Sequence, residues 1–382
     1  MKEDVIVAGY ICLDLLPELY PGKDGASFQY VPGKLLEVGG TNTCCGGAVP
    51  NTGLALFRLG HGPQLIGRIG NDAFGSAIRD LIERVQPGLG RHLIVDSTRY
   101  TANTFIINPP GQDRMFLVHT GANAGFSSRD LAATSWDGVR LFHFGYPPLV
   151  RESYRNNGND TKAMFREMRR NGITTSLDMS LPDAGSEAAR IDWPDWLNNV
   201  LPEVDVFLPS IEELAMMTGH DQATLLASPD ALRALADELL AKGVAAVVIK
   251  LGSRGIYVRT TADSARLAGM GACRPKNPAI WRDQEYFMPC FKVDVEGTTG
   301  AGDCTIAGFL SGLLRGLSAV DSGVLACAVG ACNVEAPDAF SGLQDFAAVQ
   351  RRLQAGWERR DPQLDRAVWQ EQSSGVYSRK NQ

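Results

Sequence analysis

Residues 297–314 read GTTGAGDCTIAGFLSGLL. Gly300, Ala301 and Gly302 carry almost no side chain, follow a strand-like run and open an apolar helix. Backbone N–H groups at such a junction converge on one point, and the positive end of the helix dipole adds to them. That point suits a phosphoryl group in transfer, whose negative charge is spread over three oxygens. Asp303 stands at its mouth. A carboxylate beside an anion hole is useful if it takes the proton of an attacking hydroxyl. The plainer alternative makes Asp303 a cap residue on a glycine-lined turn.

The text on either side of this segment alternates strand and helix in the manner of a parallel sheet with crossovers. Strands are expected at 4–9, 64–70, 139–145, 172–179, 204–209, 244–252, 256–260 and 291–295. Apolar residues at helical spacing predict helices over 51–60, 72–84, 160–170, 188–201, 211–218, 230–242, 303–315, 319–334 and 343–355. Residues 15–45 and 92–120 break this pattern with short β-like runs, the second turning at Pro109 to Asp113. Together they predict a small sheet of about four strands over the open end of the larger one. The expected division is therefore a main α/β domain from 1–14, 46–91 and 121–356, a β lid from 15–45 and 92–120, and a C-terminal extension from 357 to 382. Residues 261–290 find no place in it.

The 382 residues correspond to about 2.5 average domains, and an apolar share of 44% supports a large core. A net charge of −6 leaves no broad cationic face for nucleic acid or an anionic membrane, though a local nest can still bind an anion. MKEDVIVAG at the start has no signal-peptide character, and no apolar run is long enough to span a bilayer, so a cytoplasmic protein is expected. The eight cysteines form no CxxC pair and read as buried free thiols.

The segment at 297–303 resembles the carboxy-terminal signature of the PfkB or ribokinase-like carbohydrate kinases, DTTGAGD, with Gly297 in place of the first Asp and Glu296 before it. GGAVPNTGLALFRLG (46–60) is similar to the amino-terminal signature, and GRIGNDAFG (67–75) to the segment after it. LPSIEELAMMTG (208–219) resembles PNxxExxxLTG with Ser210 for Asn, and IKLGSRG (249–255) resembles the strand and turn that touch nucleotide phosphates. The resemblance implies a three-layer α/β/α fold with a mainly parallel sheet and a β lid. It also implies ATP and Mg²⁺ as cofactors, with a monovalent cation as a further candidate. Asp303 is then the catalytic base, with Gly300, Ala301 and Gly302 in the anion hole. Asp14 binds sugar hydroxyls, alongside Gly46, Gly47 and Asn51. Glu213 and Ser210 organise the metal. Lys250, Gly252 and Gly255 meet the nucleotide phosphates, and Asn333 lines the adenine pocket. Each has a plainer reading: Asp14 as a turn former, Asn51 as a helix cap, Lys250 as a lysine snorkelling from a strand end.

The implied reaction moves the γ-phosphoryl group of ATP to a primary hydroxyl of a sugar or polyol. Gly145, where ribose-binding relatives carry a carboxylate, tilts the substrate away from ribose towards a hexose, a keto-sugar acid or an inositol. Arg114 would partner an acid group. A nucleoside kinase is the alternative enzyme, with Phe28, Tyr30 and Phe105 as candidates to cradle a base; a non-catalytic sugar-binding regulator is the alternative outside catalysis. The lid would have an open apolar face, which members of the family it resembles commonly cover by pairing lids between subunits, so the resemblance implies a homodimer. No Walker motif and no GxGxxG after the first strand are present, against a P-loop enzyme or a dinucleotide oxidoreductase.

Overall fold

A computed structural model describes residues 2–20, 32–109, 115–132, 134–372 and 375–380. Among these, ten strands form the central sheet. Six run parallel, in the spatial order Ala246–Lys250, Val206–Phe207, Thr174–Leu177, Leu141–Gly145, Val5–Gly9 and Pro63–Ile66. Ile256–Thr260, Glu285–Met288, Tyr377–Arg379 and Trp369–Glu371 extend the other side antiparallel.

Buried β-branched and aliphatic runs make these strands two-sided. Val5 and Val7 belong to one apolar cluster, with Phe309, Leu310 and Leu325. Ile6 and Ala8 belong to the other, with Phe165, Trp196 and Leu239. This alternation has the strand period of two and produces the three layers. One face is covered by the helices Ala48–Arg58, Ala301–Arg315 and Ala319–Val334, the other by Asn159–Arg170, Trp193–Val200 and Pro229–Ala241. No helix among the described residues is long and apolar enough to cross a membrane.

A second sheet of four strands has the order Thr41–Gly46, Cys12–Pro17, Asn103–Ile107, Met115–His119. Its Cys12–Pro17 strand starts before residue 15, the expected limit of the lid, because the chain leaves Gly9 and enters the small sheet after two residues. Asp14 therefore stands on the small sheet rather than just past the first main strand. The turn expected at Pro109 to Asp113 falls largely outside the described residues, and so do Arg114, Phe28 and Tyr30.

Several expectations are corrected. The run 64–70 is two strands, since the chain turns at Gly67 and Arg68–Gly70 pairs instead with Ile94–Asp96. Residues 188–201 form a short 3₁₀ turn at Ala188–Arg190 and then the helix Trp193–Val200, capped by Asp192 with Pro194 in its first turn. FKVDV at 291–295 has strand composition but no strand neighbour, only a single bridge between Phe291 and Arg359. The missing strand is Glu285–Met288, inside the stretch that sequence alone leaves unplaced. The tail after 356 contributes two strands to the sheet edge and buries Trp369 against Tyr257 and Phe287.

Candidate active site

The parallel strands deliver their carboxyl ends to one region, where open α/β sheets bind ligands. Gly145 ends one strand, Asp178 follows the next, Ser210 follows the third, and Lys250 ends the fourth. The helix Ala301–Arg315 points its N-terminus at them. Gly300 caps this helix with φ +74, a conformation that L side chains rarely adopt. Asp303 lies in the first turn, so its own N–H and that of Gly302 are among the groups a helix start leaves without an intrahelical acceptor.

Asp303 is 3% exposed. Asn51 Nδ2 donates to its Oδ2 at 3.0 Å, and the Tyr146 hydroxyl lies 3.0 and 2.9 Å from its two oxygens. Burial pushes the carboxyl above its ordinary range, opposed by Asn51, the Lys250 charge and Tyr146. Asn51 sits inside the Ala48–Arg58 helix, not at its cap, and its Oδ1 is buried without a partner. Gly47 caps that helix with φ +93, within reach of Tyr10.

Lys250 Nζ is 2.7 Å from Asp178 Oδ1, and its side chain fills the space that a Cβ on Gly302 would meet. Burial disfavours its charge, but Asp178, Glu213 and Asp303 outweigh burial and hold the proton on. Asp178 Oδ2 is buried with no partner. His143, whose Nδ1 lies 2.9 Å from Ser176 Oγ, is pushed down to about 3 by burial and by Lys250, so it is neutral at physiological pH. Ser210 and Glu213 form a reciprocal capping box: Ser210 N donates to Glu213 Oε2 at 2.6 Å, and Glu213 N donates to Ser210 Oγ at 3.2 Å. Both residues thus have a structural task in addition to any metal task.

Asp14 is buried on the small sheet, directly over Gly46, where any Cβ would overlap its carboxylate. Burial pushes its pKa up to about 6, opposed by hydrogen bonds from Cys12 and Thr104. Gly145 abuts the Ala48 methyl, which leaves no room for a side chain. Packing therefore accounts for this glycine without reference to any substrate.

A cavity of about 320 Å³ opens beside Lys250 and Gly302. Gly252 and Gly255 lie on its wall, with Ile256, Val293 and Val334 making it apolar. Asn333 is wholly buried with neither amide atom paired, and its helix lines the cavity with Gly330, Ala331 and Val334. A larger cleft, about 1040 Å³, lies by the tail, but its Arg233 and Arg379 are already ion-paired to Glu285. No cluster of three metal-ligating side chains is found among the described residues. Any cation here would thus take part of its shell from water or substrate, as Mg²⁺ commonly does.

Sequence reasoning missed Tyr146, Asp178 and His143. Tyr146 has no motif around it. Its only signals are its place after a strand end and before two prolines, and its left-handed backbone (φ 64) is invisible in the sequence.

A profile of the pfkB family carbohydrate kinases matches residues 22–345. The chain is 26% identical over 337 residues to the 2-dehydro-3-deoxygluconokinase of Bacillus subtilis, covering 84% of this chain and 92% of that one. It is 26% identical over 318 residues to a fructokinase of Klebsiella pneumoniae, covering 82% and 85%. Among solved structures, Arabidopsis thaliana ribokinase complexed with ribose and ATP superposes with a TM-score of 0.70 at 18% identity, covering 92% of this chain and 98% of that one. Xylella fastidiosa fructokinase with bound ATP gives 0.65 at 21%, covering 92% and 98%. The three-layer fold is thus the ribokinase-like one.

Proposed function

Because the chain belongs to the pfkB family of carbohydrate kinases, we propose that it transfers the γ-phosphoryl group of ATP to a primary hydroxyl of a sugar or sugar acid. The observation that carries this reading is Asp303: a buried carboxylate at the glycine-capped start of a helix, beside a lysine held protonated. Asp303 takes the proton of the acceptor hydroxyl. Asn51 and Tyr146 aim its oxygens, while the N–H groups of Gly302 and Asp303, with Lys250, face the charge that develops on the transferring group.

The residues fit ATP and Mg²⁺ on two counts. The 320 Å³ cavity has apolar walls for a base and cationic and helix-dipole ends for phosphates. Asp178 Oδ2, buried and unpartnered, and Glu213 offer hard carboxylate oxygens for an ion that keeps most of its water. Bound Mg²⁺ supplies charge neutralisation on the phosphates. Asp14 accepts hydrogen bonds from hydroxyls of the acceptor, and the small sheet excludes water that would compete with it. The relatives named above act on 2-dehydro-3-deoxygluconate and fructose, and these head the list of acceptors to test.

The edge strand Met115–His119 leaves Met115 and Leu117, which share one face, about half exposed, at 51 and 52%. We assign that apolar face to a second copy of the chain, giving a homodimer through the lids. Light scattering should find a dimer that Leu117→Asp converts to monomer; a wild-type monomer at micromolar concentration sinks this assignment. For the reaction, ADP release is measured with Mg²⁺ and ATP across 2-keto-3-deoxygluconate, fructose, ribose, myo-inositol and adenosine. Turnover of a sugar that Asp303→Asn abolishes supports the reading. Absence of ATP binding overturns it.

A further inference from the structure

The family match ends at residue 345, yet chain beyond it forms part of the wall of the candidate nucleotide cavity. Residues 357–360 run against 289–292. Lys292 N donates to Glu358 O at 2.8 Å, Arg360 N to Cys290 O at 2.8 Å, and Trp357 Nε1 to Lys292 O at 3.0 Å. Four planar groups then stack. Trp357 lies on Phe291 with centroids 4.5 Å apart, Arg352 sits 3.5 Å from the Trp357 ring centroid, and Arg359 sits 4.1 Å from that of Phe291. Such cation–π and ring contacts hold a loop at a fixed height without a regular ladder. Phe291 itself is buried and lines the cavity.

The next residue after this stack, Arg360, also lines the cavity. It stands on the side of the Gly252–Arg254 turn, since Cys290, which accepts the Arg360 N–H, donates its thiol to Gly252 O at 3.5 Å. Among the described residues, the charged ones on the cavity walls are Lys250 and Arg360. Lys250 is engaged by Asp178, whereas Arg360 has no ion pair among the described residues. A free guanidinium at the rim of an otherwise apolar pocket is poised for a polyphosphate, whose oxygens match its planar fork.

We propose that Arg360 is a nucleotide-phosphate contact of this chain, supplied by its C-terminal segment and held in place by the Arg352–Trp357–Phe291–Arg359 stack. The inference rests on the nucleotide reading of the cavity given above. It makes the tail part of the active site, with a cation at each side of the phosphate chain.

The test is calorimetric titration of the full chain with Mg²⁺·ADP and with adenosine, for wild type, Arg360→Gln and Arg360→Lys. Arg360 is exposed, so neither substitution threatens the fold. Gln is expected to weaken ADP binding about tenfold, the scale of a lost charge-assisted hydrogen bond. Adenosine binding should not change, and Lys should recover part of the loss. Equal ADP affinity in wild type and Arg360→Gln overturns the proposal. So does a parallel loss of adenosine, which would mark a packing role. If wild type binds neither ligand, the nucleotide reading fails and this inference falls with it.

Discussion

Two buried carboxylates, Asp303 and Asp14, are held in contrasting ways. Asp303 receives an amide N–H and a phenol O–H from Asn51 and Tyr146 and feels the charge of Lys250. Asp14 is nearly as buried, at 6% against 3%, but its neighbours are a cysteine thiol at 3.2 Å and the Thr104 hydroxyl. A thiol is a weak donor and neither neighbour is charged. Asp303 is therefore preorganised by the protein, whereas Asp14 keeps acceptor capacity that the protein leaves open. The first arrangement suits a group that moves a proton, the second a group that selects hydroxyls.

This contrast predicts unequal consequences. Asp303→Asn keeps the shape but removes the proton acceptor, so kcat should fall by about 10³-fold with sugar affinity little changed, measured by steady-state ADP release. A loss confined to KM would remove Asp303 from the chemistry.

Asp14→Asn should act on the acceptor instead, raising its KM by about tenfold or more with a smaller change in kcat. Stability should move the other way. Asp14 has a folded pKa of about 6 against an unfolded value of 3.8, so the folded state binds the proton more tightly. Its contribution is favourable below the unfolded pKa and is lost as pH rises through about 6. The variant should therefore be more stable than wild type at pH 7.5, by about 3 kcal/mol, and lose that advantage near pH 4. Equal melting temperatures for the two proteins at pH 7.5 would show that Asp14 is not desolvated as described.

Tyr146→Phe should have the smallest effect, about fivefold in kcat, because Asn51 and Lys250 remain. Its diagnostic is the pH profile. Asp303 must be ionised to accept a proton, and the Tyr146 hydroxyl favours the ionised form. Removing it raises the Asp303 pKa further, so the acid limb of kcat should move to higher pH. An unmoved limb would make Tyr146 a packing residue.

The candidate site was most legible where local backbone demands and the proposed chemical role coincide. Gly300, Ala301, Gly302 and Asp303 sit in four consecutive positions, and the helix they start is the feature that makes them useful. Asn51 was legible through the resemblance of 46–60 to the amino-terminal signature, though only the fold shows that it reaches Asp303 across 252 residues. Asp178 and Lys250, separated by 72 residues, meet because two strands end at the same edge. The sequence could not show that Asn333 is wholly buried while Ala331 and Val334 of the same helix line the cavity, since that depends on how the helix is turned against its neighbours. The 291–295 run has strand composition, but a strand also needs a neighbour, and Glu285–Met288 occupies that place.

The sequence by itself determined the layered fold, the glycine-capped helix start and the carboxylate beside it. These depend on residue periodicity and on glycine at positions that strain any other residue, and both are local properties of the chain. Only the tertiary structure decided that Tyr146 reaches Asp303, that Asp14 rides on the small sheet, and that the tail walls the cavity with Arg360. Those facts depend on strand order and on loop paths across the sheet edge, which bring distant residues together without leaving a repeat or a motif in the chain.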